Sequence, residues 1–301
     1  MATIKKRYTL LSFLMWISSI CIGGQPFAQK VDYDISAALF PEQRLISAAV
    51  SIRYTNNSPD QLDSIFIHLW PNAYSNYETP FADQLLENGS LDFHFMKRKN
   101  LGYIDSLHFS VDGIQVPYAL LPGQPDIAVV YLPTTLQPGE SMEIRTPFRV
   151  KLPNLVSRAG VKDDIYVISQ WFPKIAVYDA NGWHPLSYLN QGEFYSEFGN
   201  YTVSLSVPST FQVAATGLSG MTPVDTQGAI DTYHIAIDSV HDFCWAASKK
   251  YNLLTDKVIL ENNHEIEIRV YCKNTSAWQP YLRAIKTTLQ KMSEWVGPYP
   301  Y

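Results

Sequence analysis

From residue 35 to about residue 248 the chain is a series of short runs in which every second residue is apolar, each run closed by Pro, Gly, Asn or Asp. Successive side chains of a strand point to opposite faces, so a period of two specifies strands with one buried face. Strands are expected at 44–54, 62–70, 106–111, 114–120, 126–132, 141–150, 164–170, 201–207, 211–215, 230–237 and 241–247. Asp112-Gly113 stands between two alternating runs, and a two-residue type I′ turn needs positive φ at both central positions, so a hairpin is expected there. One helical turn is expected near 81–86. The fold class is mainly β: an antiparallel saddle-like sandwich, long enough to bury its own core.

After residue 250 the pattern changes. Runs at 256–260 and 264–271 flank Asn262-Asn263 as a second hairpin, and Pro280 begins a helix whose Leu282, Ile285, Leu289, Met292 and Val296 recur at three- and four-residue intervals. Gly297 and Pro298 stop it. A hairpin and one amphipathic helix do not close a core, so 251–301 is expected to open a further, incomplete domain whose apolar stripe needs a partner. The alternative is that the helix folds back on the β domain as a C-terminal latch.

Lys5, Lys6 and Arg7 precede an apolar run at 8–22, followed by Gly23, Gly24, Pro26 and Ala28. This pattern predicts a secretory signal peptide over 1–28, cut after Ala28 or, second, after Gly24, and hence a periplasmic or extracellular protein. The apolar run falls short of the roughly 20 residues a spanning helix needs, so no integral membrane span is expected; an uncleaved anchor is the alternative. Cys21 lacks the flanking residues of a lipid-attachment site. Cleavage leaves Cys244 and Cys272, too few for a disulfide framework or a cysteine zinc cluster; both a pair and two free thiols stay open. The net charge is −5, the leader removes three cations, and only 17% of residues are charged, which argues against nucleic acid or anionic lipid as a partner recognised by bulk charge.

Chemistry or binding is expected in the densest segment, 166–201, where aromatic residues crowd with Gln170, Asp179, His184, Glu193 and Glu197. The aromatic residues also suit a core. Glu193 and Glu197 could flank a bond as general acid and base, or one could be exposed and the other anchor a loop. None of the seven histidines shares an i, i+4 spacing with another. His264-Glu265 is followed at the required position by Ile268, on an alternating run, so no zinc motif is read. Nucleophile elbow, P-loop and dinucleotide fingerprint are likewise missing from the sequence.

The ordered set Gln170-Trp171-Phe172-Pro173-Lys174, Tyr178-Asp179, Gly182-Trp183-His184, 192–199, Tyr201, Val207-Pro208 and 214–217 resembles the N-terminal β domain of aminopeptidase-N-type zinc metallopeptidases (gluzincins), in a secreted bacterial branch. Asp34, Phe66 and 69–74 extend the resemblance upstream, and His241-Asp242-Phe243 and 297–300 downstream. It implies domains at 29–250 (the β domain) and 251–301 (the start of a thermolysin-like α/β peptidase domain, on which the rest of that domain packs). It also implies a peptide substrate, and zinc held by an HExxH helix and a later Glu in a full-length homologue. Neither that motif nor its substrate-binding Gly-x-Met-Glu-Asn-like strand occurs by Tyr301, so this chain alone is expected to be inactive, with no catalytic residue and no metal ligand. Gln170 matches a family glutamine that lines the substrate cleft, with a backbone-satisfied strand glutamine as the alternative. Phe172 stands where the family has the Glu that holds the free α-amino group. A free-standing secreted β-sandwich module binding peptide or glycan on an aromatic platform at 171–183 is the rival reading; a metal-independent hydrolase using Glu193 and Glu197 is a third.

Overall fold

The computed structural model describes residues 27–192, 194–217 and 223–301. All but the last two residues of the expected leader, and Glu193, lie outside the described residues. Three sheets share one core. In the nine-stranded main sheet, β1 (Lys30–Phe40) pairs antiparallel with β2 (Leu45–Thr55), which pairs with Ser141–Lys151. On the other flank of β1 lie Gly199–Pro208, Ile230–Val240 and Asp225–Gln227. Pairing between the described strands is antiparallel with one exception: β1 and Gly199–Pro208 run parallel, Val31 opposite Gly199 and Ala38 opposite Ser206.

The second sheet sets β3 (Leu62–His68) between Lys174–Ile175 and Gln124–Leu136, with Tyr118–Leu121 outermost. The third runs Gly160–Lys162, Ile165–Ile168, Trp245–Ser248, Gln212–Ala215. Inward residues of all three, among them Ile35, Ile52 and Val203, Ile65 and Val130, and Ile168 and Val213, form a single buried cluster. Each such side chain contributes about 1.5–3 kcal/mol by leaving water.

The mainly β reading holds, with local differences. β1 was not among the expected strands, although Val31, Tyr33, Ile35, Ala37 and Leu39 alternate and are all buried. The Asp112-Gly113 turn has positive φ at both residues and joins Val111 to Ile114 as expected. The run expected at 114–120 divides at Pro117, which has no N–H for a ladder: Ile114–Gln115 stays in the main sheet and Tyr118–Leu121 joins the second. The strand expected at 62–70 ends at His68, and Trp70–Tyr74 turns into a 3-10 helix with Pro71 in its first turn. The strand expected at 241–247 is Trp245–Ser248; the 241–244 stretch is a loop whose carbonyls go to the Lys174 side chain and Thr216 instead of a neighbouring strand.

The expected helical turn is the Pro80–Glu87 helix, capped by Thr79 and burying Phe81, Ala82 and Leu85 in a second cluster with Trp70, Tyr74, Phe93 and Tyr188. Beyond residue 250, Asn252–Ile259 and Glu265–Cys272 form the second hairpin. The Tyr281–Val296 helix buries Leu282 against its Val258, Leu260, Ile266 and Ile268, with Ile285 and Leu289 half-covered. Met292, Trp295 and Val296 stay exposed. The Tyr301 hydroxyl donates to the Ser239 carbonyl at 2.9 Å, so the tail touches the main sheet while the stripe itself faces the hairpin. Cys244 is exposed, Cys272 buried, and both are free thiols.

A Cβ at Gly199 would lie 2.9 Å from the Val31 carbonyl oxygen and 3.3 Å from the Tyr33 ring. Gly199→Ala is therefore expected to push the parallel pair apart and cost about 1–3 kcal/mol. A urea midpoint equal to that of the unsubstituted protein would show that the two strands are not held this closely.

Candidate functional site

Gln170 follows the Ile165–Ile168 strand and precedes two anchors. Trp171 donates its indole N–H to the Phe243 carbonyl at 3.2 Å, and Phe172 sits edge-on to Trp171, Tyr33 and Tyr201. Both rings are buried. Between these fixed points the Gln170 backbone takes φ +53°, a left-handed conformation costing an L-residue about 1–3 kcal/mol. The residue is buried, and among the described residues its Oε1 has no hydrogen-bond partner. Gln170 thus lies just past the Ile165–Ile168 strand, with its amide oxygen unpaired among the described residues.

The stretch at 186–195 is strapped to the second sheet by buried side chains. His68 Nε2 accepts the Leu186 N–H at 3.1 Å, and Trp70 donates to the Leu186 carbonyl at 3.1 Å. Asp126 accepts from the Tyr188 N–H at 2.6 Å and from the Ser187 hydroxyl at 3.1 Å. Burial pushes the Asp126 carboxyl up, against these hydrogen bonds that pull it down. Arg158, whose carbonyl accepts the Ser169 hydroxyl, reaches the Leu189 and Asn190 carbonyls and lies 5.1 Å over the Phe194 ring. Trp70 and strap residues Leu186, Leu189, Phe194 and Tyr195 line an open, mostly apolar pocket of about 200 Å³.

A second polar group lies where the Lys174–Ile175 strand meets the 241–244 loop. Lys174 is almost fully buried; its ammonium donates to the His241 carbonyl and lies 3.5 Å from Asp242. Burial lowers its pKa, and Asp242 partly restores it. His241 Nε2 is 3.0 Å from the Ser196 hydroxyl. Glu197 is half-buried, accepts the Gln29 N–H at 3.2 Å, and is shifted upward chiefly by burial. It is thus a loop anchor, the less reactive of the two roles open to it.

Two other sequence candidates, Asp179 and His184, come together. Asp179 accepts from Asn181 N–H at 2.8 Å, pairs with His184 Nε2 at 2.8 Å, and takes the Tyr195 hydroxyl at 3.1 Å. The Asn181 N–H, then His184, hold its carboxyl below the usual range. This group braces the Val177–Asp179/Gly182–His184 hairpin. Trp171 is core and Trp183 packs on Tyr54, Phe66 and Tyr178, so 171–183 does not present an aromatic platform. Phe172, too, points into the core. Among the described residues no three His, Cys, Asp or Glu stand together as metal ligands, so no step through zinc is derived from them. His68, Asp126 and Lys174 also hold loop backbone here, and only their place beside buried apolar residues (Ile67, Ile127, Ile175) hints at their burial.

No protein-family model matches the sequence, and no curated protein does. Solved structures match the fold. A two-domain M1 zinc metallopeptidase variant bound to L-arginine aligns with TM-score 0.55 at 14% identity. The M1 zinc metallopeptidase from Deinococcus radiodurans aligns at 0.54 and 15%, and its variant bound to a Tyr-Ser-Ala substrate at 0.55 and 15%. The alignments take in 91–92% of this chain and 55% of each of those chains. The chain therefore has the fold of M1 zinc metallopeptidases over almost its whole length, and spans about 55% of theirs.

His68 provides a test of the strap. Burial, with the Lys174 charge second, pushes its imidazole down to about 3, whereas an unfolded histidine titrates near 6.5. The unfolded chain thus takes up a proton that the folded one refuses. The stabilisation is complete above about pH 6.5 and is lost as pH falls toward about 3, by about 1.4 kcal/mol per pH unit. His68→Gln keeps an acceptor for Leu186 N–H and removes this titration. Between about pH 5.5 and 4.5 its denaturation free energy should fall less steeply with acid than that of the unsubstituted protein, by close to that slope. Parallel curves would mean that His68 is not held neutral by burial.

Proposed function

We propose that the chain is the non-catalytic N-terminal substrate-cleft domain, with the opening of the catalytic domain, of an exported zinc metallopeptidase resembling aminopeptidase N. The observation that carries this reading is Gln170. At the position where the resemblance puts a cleft glutamine, the structure holds a strained, rigidly flanked residue whose buried amide oxygen has no partner among the described residues. Strain of this kind persists where neighbouring structure over-determines it, and it clusters at functional sites. An unpaired acceptor costs about 1–3 kcal/mol until something donates to it, and a substrate N–H is the donor this reading supplies.

In this reading residues 1–28 are the leader, 29–250 form the β domain and 251–301 begin the peptidase domain. The separate cluster around Val258, Ile268 and Leu282 supports that division. The exposed Met292, Trp295 and Val296 are then the surface on which the rest of the catalytic domain packs. Zinc and the carboxylate that activates its water belong to sequence following the hairpin and helix. Phe172, turned into the core, brings no carboxylate to the substrate amine, so neutralisation of a free α-amino group falls to residues other than this position.

Two measurements test the reading together. The 301-residue protein, incubated with one equivalent of zinc and aminoacyl-amide or tripeptide substrates, is expected to release no amine. The coding frame read past codon 301 is expected to reach HExxH and then a further Glu. Zinc-dependent hydrolysis by the 301 residues alone, or a frame that ends without the motif, contradicts it, the second outcome favouring the free-standing binding module.

A further inference from the structure

Beyond the expected leader, the acidic chain carries the compact basic stretch Lys97-Arg98-Lys99, which closely follows two exposed apolar side chains, Leu91 and Phe95. Phe95 is 73% exposed and Leu91 52%. Their exposure is built into the fold. Phe93, between them, is buried against Phe81 and Tyr77, and the Tyr77 hydroxyl donates to the Met96 carbonyl at 2.6 Å. Phe95 N–H closes a turn on the Leu91 carbonyl at 3.1 Å, bringing the two apolar residues to neighbouring positions of one turn. The 3-10 turn Arg98–Asn100 follows, fixed by the Asn154 N–H on the Asn100 carbonyl at 2.8 Å. Lys97, Arg98 and Lys99 are all exposed, and no ion pair among the described residues uses them.

We propose that this turn is a peripheral docking site for an anionic phospholipid surface, with Phe95 and Leu91 entering the headgroup boundary and Lys97, Arg98 and Lys99 meeting the phosphates. An apolar tip beside unpaired cations is the complement of that surface: anionic headgroups outside, hydrocarbon a few ångströms within. A water-soluble polyanion would satisfy the cations alone and leave Phe95 and Leu91 in water. The overall negative charge does not oppose local contact, because charges beyond about 10 Å are largely screened at ordinary salt. It does make binding depend on this one patch.

The test is sedimentation of the 301-residue protein with vesicles of phosphatidylcholine alone or mixed with phosphatidylglycerol. Binding to the mixed vesicles only, weakened by added salt, is expected. Replacing the cations together (Lys97→Ala, Arg98→Ala, Lys99→Ala) should weaken it on the order of a hundredfold, and Phe95→Ser roughly tenfold, with melting temperatures unchanged because the side chains are exposed. The proposal is overturned by failure to bind mixed vesicles or by equal binding to both kinds. Loss on Trp295→Gln with Val296→Gln in place of the turn variants would assign binding to the terminal helix and overturn it too. So would binding that heparin displaces and Phe95→Ser leaves unchanged, which would make the patch a polyanion site.

Discussion

The parallel pairing of β1 with Gly199–Pro208 is the constraint on which the rest of the molecule depends. Antiparallel strands can be joined by two residues, but a parallel neighbour must be reached by a crossover, and here the partners lie 168 residues apart in the chain. Everything between them, including the second sheet, the Pro80–Glu87 helix and the strap at 186–195, is folded within that crossing. Register then carries directly into the site. Tyr33 stacks on Tyr201 at 4.9 Å, accepts the Ile175 N–H at 3.2 Å, and meets Phe172 edge-on. A one-residue slip would turn Tyr33 to the opposite face, and the support that holds 170–175 would go with it.

A second layer of control is polar. His68, Asp126 and Lys174 are buried, where desolvation opposes charge, and each is occupied by backbone groups of a distant loop. Buried groups of this kind are weak sources of stability. Their effect is on placement: a loop whose N–H and C=O groups are met by side chains rising from a sheet has few alternative positions. This is how a stretch with little regular structure lines a defined pocket.

Features set by near neighbours were legible in the sequence. Asp112-Gly113 needed only its own φ angles, the Asn252–Ile259/Glu265–Cys272 hairpin only its alternation and turn, and the terminal helix only its three-four spacing. β1 alternates just as clearly in Val31, Tyr33, Ile35, Ala37 and Leu39, yet its partner is far away in sequence and Asp32 and Asp34 interrupt the apolar character. The loop at 241–244 looks like a strand until Lys174 takes its carbonyl. Gln170 could be named only through a resemblance. Its left-handed backbone and unpaired oxygen arise from anchors on either side, and no spacing along the chain reports them. The anchoring of Glu197 by Gln29, from the far end of the chain, was equally beyond sequence.

The claim that Gln170 faces substrate is tested most directly in the chain continued through a zinc-bearing catalytic domain, by steady-state kinetics of Gln170→Ala on a short peptide with a free amino end. Loss of one substrate hydrogen bond predicts a KM raised about tenfold with kcat little changed and the melting temperature no lower, since the substitution also removes an unpaired buried oxygen. An unchanged KM, or a loss of activity that only tracks a loss of folding, would contradict the account.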